Sequence, residues 1–331
     1  MTRTLCVRGS VIALFLALSL ALTASAAEKG QWVPISDGVI AKLTAEGKKV
    51  GWPGLTGGVA CDPASGDAYM VVCDQGLWKS TDKGATFERV DGKKVGGRAE
   101  TAFGLNMDPK GGRLACFMVY GGCAATPDAG KTWTPMKMSH FDYGAVDWED
   151  TGKAMLALRH ERGYTLAFTT DAGQTWKEIE KGVKACGMFD AKTLLISKGT
   201  GILRSTDGGE TWAKVSDSTP AGFVMRAYKG VGYWTSKQGL LVSRDKGATW
   251  SVLGSPVDAF HGPYFGKDES HIVVVGKSFF ETTDGGKTWK DAAPLPPGFG
   301  TGPVGPNYGW DPKAGIFYGS SMGKATYRFE R

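Results

Sequence analysis

Soon after its start the chain settles into short apolar runs separated by clusters of turn residues. Residues 58–61, 68–72, 77–80 and 86–90 are four such runs, and Asp62 to Gly66 is a turn between the first two. Runs of four or five residues bounded by Gly, Pro and Asp are strand signals. Four of them in about forty residues predict one small antiparallel sheet, and the pattern then repeats. Two connections interrupt the rhythm. Residues 36–56 carry Lys42, Lys48, Lys49 and Trp52-Pro53-Gly54, and residues 291–306 carry five prolines. Both read as stiffened rims or partner contacts.

The repeat has a fixed turn. Ser80-Thr81-Asp82-Lys83-Gly84-Ala85-Thr86-Phe87 recurs around Asp128, Asp171, Asp207, Asp245 and Asp284, always as [ST]-x-D-x-G-x-T-[WF]. The aspartates are spaced 46, 43, 36, 38 and 39 residues apart. A period near forty with four strands per unit is a propeller blade. The turn joins a blade's third and fourth strands. Its Asp is expected to accept backbone N–H groups two or three residues on. Gly supplies the positive φ, and Trp fills space between sheets. Six copies of one carboxylate cannot be a single active site, so all six aspartates read as structural.

The two ends supply a seventh blade. Asp62-Pro63 and Asp108-Pro109 each precede a box aspartate by 20 residues, and a third pair, Asp311-Pro312, lies 20 residues before Arg331. The chain therefore stops after three strands of another blade. Trp32-Val33-Pro34-Ile35 resembles the stretch after a box and can provide the fourth. The expected fold is an all-β, seven-bladed propeller of four-stranded antiparallel blades, with the N-terminal strand closing the C-terminal blade. A six-bladed ring with a loose tail is the alternative. Closure removes exposed sheet edges, and a monomer is expected.

These boxes resemble the Asp-box, or BNR repeat, of the sialidase-like propellers. The resemblance covers the chain beyond its first residues and implies the propeller fold. It leaves function open, because several activities share this fold. Sialidases are expected to carry an Arg-Ile-Pro motif, and this chain has none. Xyloglucan-degrading relatives join two propellers, whereas this chain has residues for one. Sortilin-type receptors add Cys-rich modules and an anchor that are missing here. The layout is most similar to the photosystem II stability and assembly factor group, which implies a scaffold with a basic face.

Composition refines this picture. Of 331 residues 49 are Gly, roughly twice the ordinary share of about 7%, as many tight turns demand. At the N-terminus, Arg3 and Arg8 precede a 12-residue apolar run, 11–22, and then Ala24-Ser25-Ala26. This is the pattern of a Sec-type signal peptide spanning 1–27, leaving a single domain at 28–331. The expected location is periplasmic or extracellular, with no membrane-spanning segment after cleavage. The full-chain charge is +6 and no Lys/Arg-rich run occurs, so nucleic acid is not an expected partner. Five cysteines remain: Cys61, Cys73, Cys116, Cys123 and Cys186. An odd number leaves at least one thiol free; one disulfide stays open, and a zinc site is not expected. No cofactor is expected.

Candidate chemistry follows from blade geometry. The box turns share a face with the turns joining strands one and two. The opposite face carries the 2–3 turns and the crossovers between blades, whose irregularity suits binding. Its most charged element is the 2–3 turn of the third blade, containing Arg159, His160, Glu161 and Arg162. Crossovers add Arg98, Glu100, His140, Asp142, Tyr143, His261 and Tyr264, and Arg226 sits where it can line the central channel. Lys198, Lys237 and Lys277 add positive charge. Arg98, Tyr143, Arg159, His160, Arg162, Arg226, His261 and Tyr264 are the candidate ligand or partner contacts. Glu100, Asp142 and Glu161 are candidate catalytic carboxylates, since a glycosidase needs two roughly 5 to 9.5 Å apart. Two readings stand: a scaffold for an exported or membrane-associated protein, and a glycan-active hydrolase. An enzyme needs a deep funnel, and a scaffold a broad basic surface.

Overall fold

The computed structural model describes residues 29–331; the expected signal peptide lies outside them. Seven four-stranded antiparallel sheets stand in a ring. The innermost strands of blades one to seven are Thr56–Cys61, Leu105–Met107, Tyr143–Val146, Ala185–Met188, Arg226–Tyr228, His261–Phe265 and Pro306–Asp311. The seventh sheet takes its outer strand, Trp32–Pro34, from the start of the chain.

That strand pairs antiparallel with Tyr327–Glu330, Trp32 opposite Phe329 and Pro34 opposite Tyr327. The indole of Trp32 donates to Pro294 O of blade six at 3.0 Å, and its ring packs on Phe279 and Phe329. Where blade seven meets blade one, four fully buried hydroxyls interlock. Thr326 Oγ1 donates to Thr56 Oγ1 at 2.9 Å, Thr56 Oγ1 lies 3.0 Å from Ser320 Oγ, and Ser36 Oγ accepts the Thr326 N–H at 3.2 Å. Buried hydroxyls are tolerable because each finds a partner.

The boxes work as turns by a tighter scheme than expected. Asp82 Oδ1 accepts the N–H of Thr86, four residues on, at 2.8 Å, and Oδ2 accepts the Thr86 hydroxyl at 2.6 Å. The Ser80 hydroxyl donates to Asp82 Oδ1 at 2.7 Å and accepts the Gly84 N–H at 2.7 Å. The three polar residues of the motif therefore form one knot. Because Thr86 spends its N–H here, the fourth strand of blade one starts only at Glu88 and runs Glu88–Arg89. Gly84 has φ +85° and also makes room: a Cβ there would meet Ile35 Cδ1 at 2.8 Å. The box tryptophans are half-buried straps, with Trp133 and Trp176 donating to their own box glycine carbonyls at 3.1 and 3.0 Å.

The long first crossover holds a helix, Asp37–Ala45, that the strand pattern did not announce. Val39 and Leu43, four residues apart on one helical face, pack on Met70, Val72, Trp78 and Phe87 of blade one. All five cysteines of the described residues are buried and free.

Two outcomes test this frame. Trp32→Ala removes most of the closing strand's apolar anchor, and urea unfolding should show a loss of about 2–3 kcal/mol, below a fully buried site because Trp32 is only partly enclosed. Secondly, hydrogen bonds from the box threonines hold Asp171, Asp245 and Asp284 at about 2, below the ordinary 3.8. A folded-state value below the unfolded one contributes stability above the unfolded pKa that disappears as pH falls through the folded value. Thermal scans should therefore show Tm falling between pH 4 and pH 2, and Asp171→Asn should lower Tm at pH 6 while flattening that fall.

Candidate functional site

The face opposite the boxes has three parts. The first is a stacked platform. The Arg98 guanidinium lies 4.5 Å from the Trp52 ring centre and 5.0 Å from that of Tyr120, and it also pairs with Glu100. Arg98 is buried, whereas Trp52 is 69% exposed and Tyr120 55%. A guanidinium against two rings gains cation–π attraction from both. The Tyr120 hydroxyl donates to Glu161 Oε1 at 2.5 Å, and His140 Nε2 lies 3.0 Å from Glu161 Oε2. The bond from Tyr120 holds the Glu161 carboxyl below its usual range.

Backbone geometry explains why Tyr120 stands there. The longest of these loops in blades one to four lies in blade two rather than blade three: residues 117–123 join its second and third strands, Leu114–Cys116 and Ala124–Thr126. Val119 pairs with Arg98 instead of continuing the blade. Gly121 permits this, since a Cβ on it would come within 2.1 Å of the Gly96 carbonyl carbon. Blade three's turn is a single 3-10 turn, His160–Arg162, ended by Gly163 at φ +74°.

The second part is a cleft of about 300 Å³ beside the platform, walled in part by Glu100, Asp142, Tyr143, His160, Tyr164 and Lys184. Asp142 is buried and accepts the backbone N–H of His160 at 2.8 Å while also pairing with its Nδ1. Tyr143 is buried, donates to Lys184 O at 2.8 Å and stacks on Phe223, ring centres 4.8 Å apart. Lys184 Nζ sits 3.2 Å from the centre of the Tyr164 ring.

The third part closes the central channel. The crossover from blade six to blade seven folds across and joins the crossover between blades one and two. Thr101 bridges Val304, and the Gly305 N–H donates to Glu100 O at 2.8 Å. His261, buried, lies 2.7 Å from Gly302 O through Nε2, so it ties this crossover down rather than facing solvent. Facing that carbonyl, Nε2 carries the proton. Burial pulls the His261 imidazole down from 6.5 to about 4. Arg226 is likewise buried and Tyr264 half-buried, both in the channel wall.

The structure thus brings Arg98, Glu100 and Glu161 into one network and Asp142, Tyr143 and His160 into the adjoining cleft. Arg159 reaches Glu178 at 3.5 Å. Arg162 is exposed and makes no ion pair among the described residues. The same holds for Lys237 and Lys277, while Lys198 pairs with Glu180 at 3.1 Å. Each of the three candidate carboxylates already has a partner. Tyr120 was missed by the sequence reading; its signal was a lone aromatic before a Gly-Gly pair, with no charge nearby to draw notice.

The family model described as BNR/Asp-box repeat matches residues 203–214. The chain is thus a seven-bladed propeller that carries an Asp-box repeat. Among solved structures, it is similar to a GH74 enzyme from Niastella koreensis, at 17% identity and TM-score 0.58, over 83% of this chain and 43% of that one. The chain thus spans less than half of that enzyme's length. It is also similar to YCF48 from Cyanidioschyzon merolae, at 14% identity and TM-score 0.44, over 86% of this chain and 98% of that one. A structure of YCF48 bound to D1 peptide matches at 14% identity and TM-score 0.39, over 69% and 82%. No curated protein matches the sequence.

His261 makes a pH prediction. A histidine whose folded pKa lies below its unfolded value takes up its proton on unfolding, so stability declines as pH falls from 6.5 to about 4. Urea unfolding at pH 7 and pH 4.5 should differ by about 2–3 kcal/mol at this site, and His261→Gln should remove most of that difference.

Proposed function

We propose that this propeller is an exported binding protein that holds another protein on the face opposite its boxes. One observation carries the reading. Of the six exposed large hydrophobic side chains among the described residues, five (Trp52, Leu55, Tyr120, Tyr164 and Val304) belong to that face. Trp, Tyr and Arg dominate binding energy at protein interfaces, and rigid aromatics lose little entropy on contact. The Trp52–Arg98–Tyr120 cluster is of that kind, and Arg162, Lys237 and Lys277 add exposed positive charge to the same face, unpaired among the described residues. The pattern suits a partner surface with an apolar centre and an acidic border.

A hydrolase acting on glycans makes different demands. Its general acid needs a raised pKa, and Glu161 moves the other way. The central channel, where a funnel would deepen, is covered by the joined crossovers. Export by the N-terminal segment belongs to the same proposal, and N-terminal sequencing of the purified protein should begin near residue 27 or 28.

Affinity capture from the cell envelope with the tagged mature chain tests the reading. One abundant protein should be retained, and Trp52→Ala/Arg162→Ala should lose at least ten-fold of it at unchanged Tm. Retention by that variant, or a glycan hydrolysis that Glu161→Gln abolishes, would count against it.

A further inference from the structure

Beneath the sealed face, the central channel encloses an arginine that forms no ion pair among the described residues. Arg226 opens the innermost strand of blade five, and its side chain crosses the channel to blade two, where Nη2 donates to Met107 O at 2.7 Å. The Phe103 ring covers it, 4.8 Å from the guanidinium carbon. Arg226 is only 7% exposed. Of its five N–H donors, the bond to Met107 is the one made among the described residues. Burial draws the guanidinium down to about 10, which still leaves it charged at neutral pH. The one carboxylate in the cavity wall, Asp108, is already committed: it accepts Arg113 Nε at 2.6 Å and the Lys110 N–H at 2.8 Å.

The remaining wall offers further donors. The Trp310 indole N–H is buried without a partner. The Tyr264 and Tyr308 hydroxyls, in the same wall, make no hydrogen bond among the described residues. The Asn307 amide donates only weakly, to Gly305 O at 3.3 Å. An isolated buried cation is costly unless it is paired.

We propose that the channel holds one small monovalent anion, a halide in class, bound against Arg226. The space admits a small ion: at about 30 Å³ the cavity exceeds the roughly 10–15 Å³ that one water needs, and a chloride ion is little larger than a water. Access runs from the box face, where Pro63 and Pro109 of the 1–2 turns are half-buried at the rim. Phe103 and the joined crossovers bar the other end. The ion would complete a strut from blade five to blade two, across the ring. This site is independent of partner binding on the outer face.

Two measurements on the whole mature chain decide it. Thermal unfolding in sodium chloride and in sodium gluconate, at equal ionic strength, should give a higher and saturating Tm in chloride. Arg226→Met, which keeps much of the volume and removes the charge, should lose the difference between the two salts. Crystals grown in bromide should show an anomalous peak within hydrogen-bond distance of the Arg226 guanidinium; this needs no variant and stands even if Arg226→Met does not fold. Equal Tm in both salts, or bromide-soaked crystals with no peak beside Arg226, would mean that the channel holds water and would overturn the proposal. A chloride effect that persists in Arg226→Met would do the same.

Discussion

Everything in this molecule hangs on one short pairing, Trp32–Pro34 against Tyr327–Glu330. A ring of sheets has no edge only while it is closed, and this closure is made by non-covalent contacts between the two ends of the chain. Three residues of ladder are too few to hold it by hydrogen bonds alone, since each nets about 1 kcal/mol. The buried hydroxyl knot of Ser36, Thr56, Ser320 and Thr326 and the tryptophan anchor in blade six carry the rest. With the ring shut, the blades fix the positions of fourteen turns and crossovers on one face, and loops far apart in sequence can meet. Val304, between blades six and seven, reaches Thr101, between blades one and two, only because the circle is complete.

The two faces divide the labour for a physical reason. On the box face, each turn is determined by its own octet: the Asp, the Ser or Thr and the following Thr bond chiefly to one another, so their polar groups are largely committed within the turn. On the other face nothing repeats. Loop length, glycine placement and crossover path differ from blade to blade, and side chains there satisfy one another across blades, as Arg98 does with Trp52, Tyr120 and Glu100. Individual chemistry is possible where the repeat relaxes.

This division also explains what was legible in the sequence. The blade count followed from the spacing of Asp-Pro pairs and from Trp32, because periodic geometry leaves a periodic record. The helix Asp37–Ala45 was legible in hindsight: Ser36 and Asp37 lie at its start, Val39 and Leu43 repeat every four residues, and Gly47 at φ +68° follows its end. Gly38 and the surrounding lysines made the stretch look like loop. The site was only half visible. Charged residues of blade three drew attention to themselves, but the platform is assembled from three connections, and no residue near Tyr120 predicts that Arg98 will lie over its ring. Buried roles were equally hidden: His261 and Arg226 are polar residues on strands or at their starts, and only the fold shows that crossovers enclose them.

The central claim is that the non-box face, and not the box face, meets the partner. Site-specific photocrosslinking in the producing cells addresses it directly, with benzoylphenylalanine placed at Tyr120 on one face or at Thr175, an exposed box residue, on the other. The account predicts a discrete higher-mass adduct from position 120 and none from position 175. An adduct from position 175 alone would contradict it.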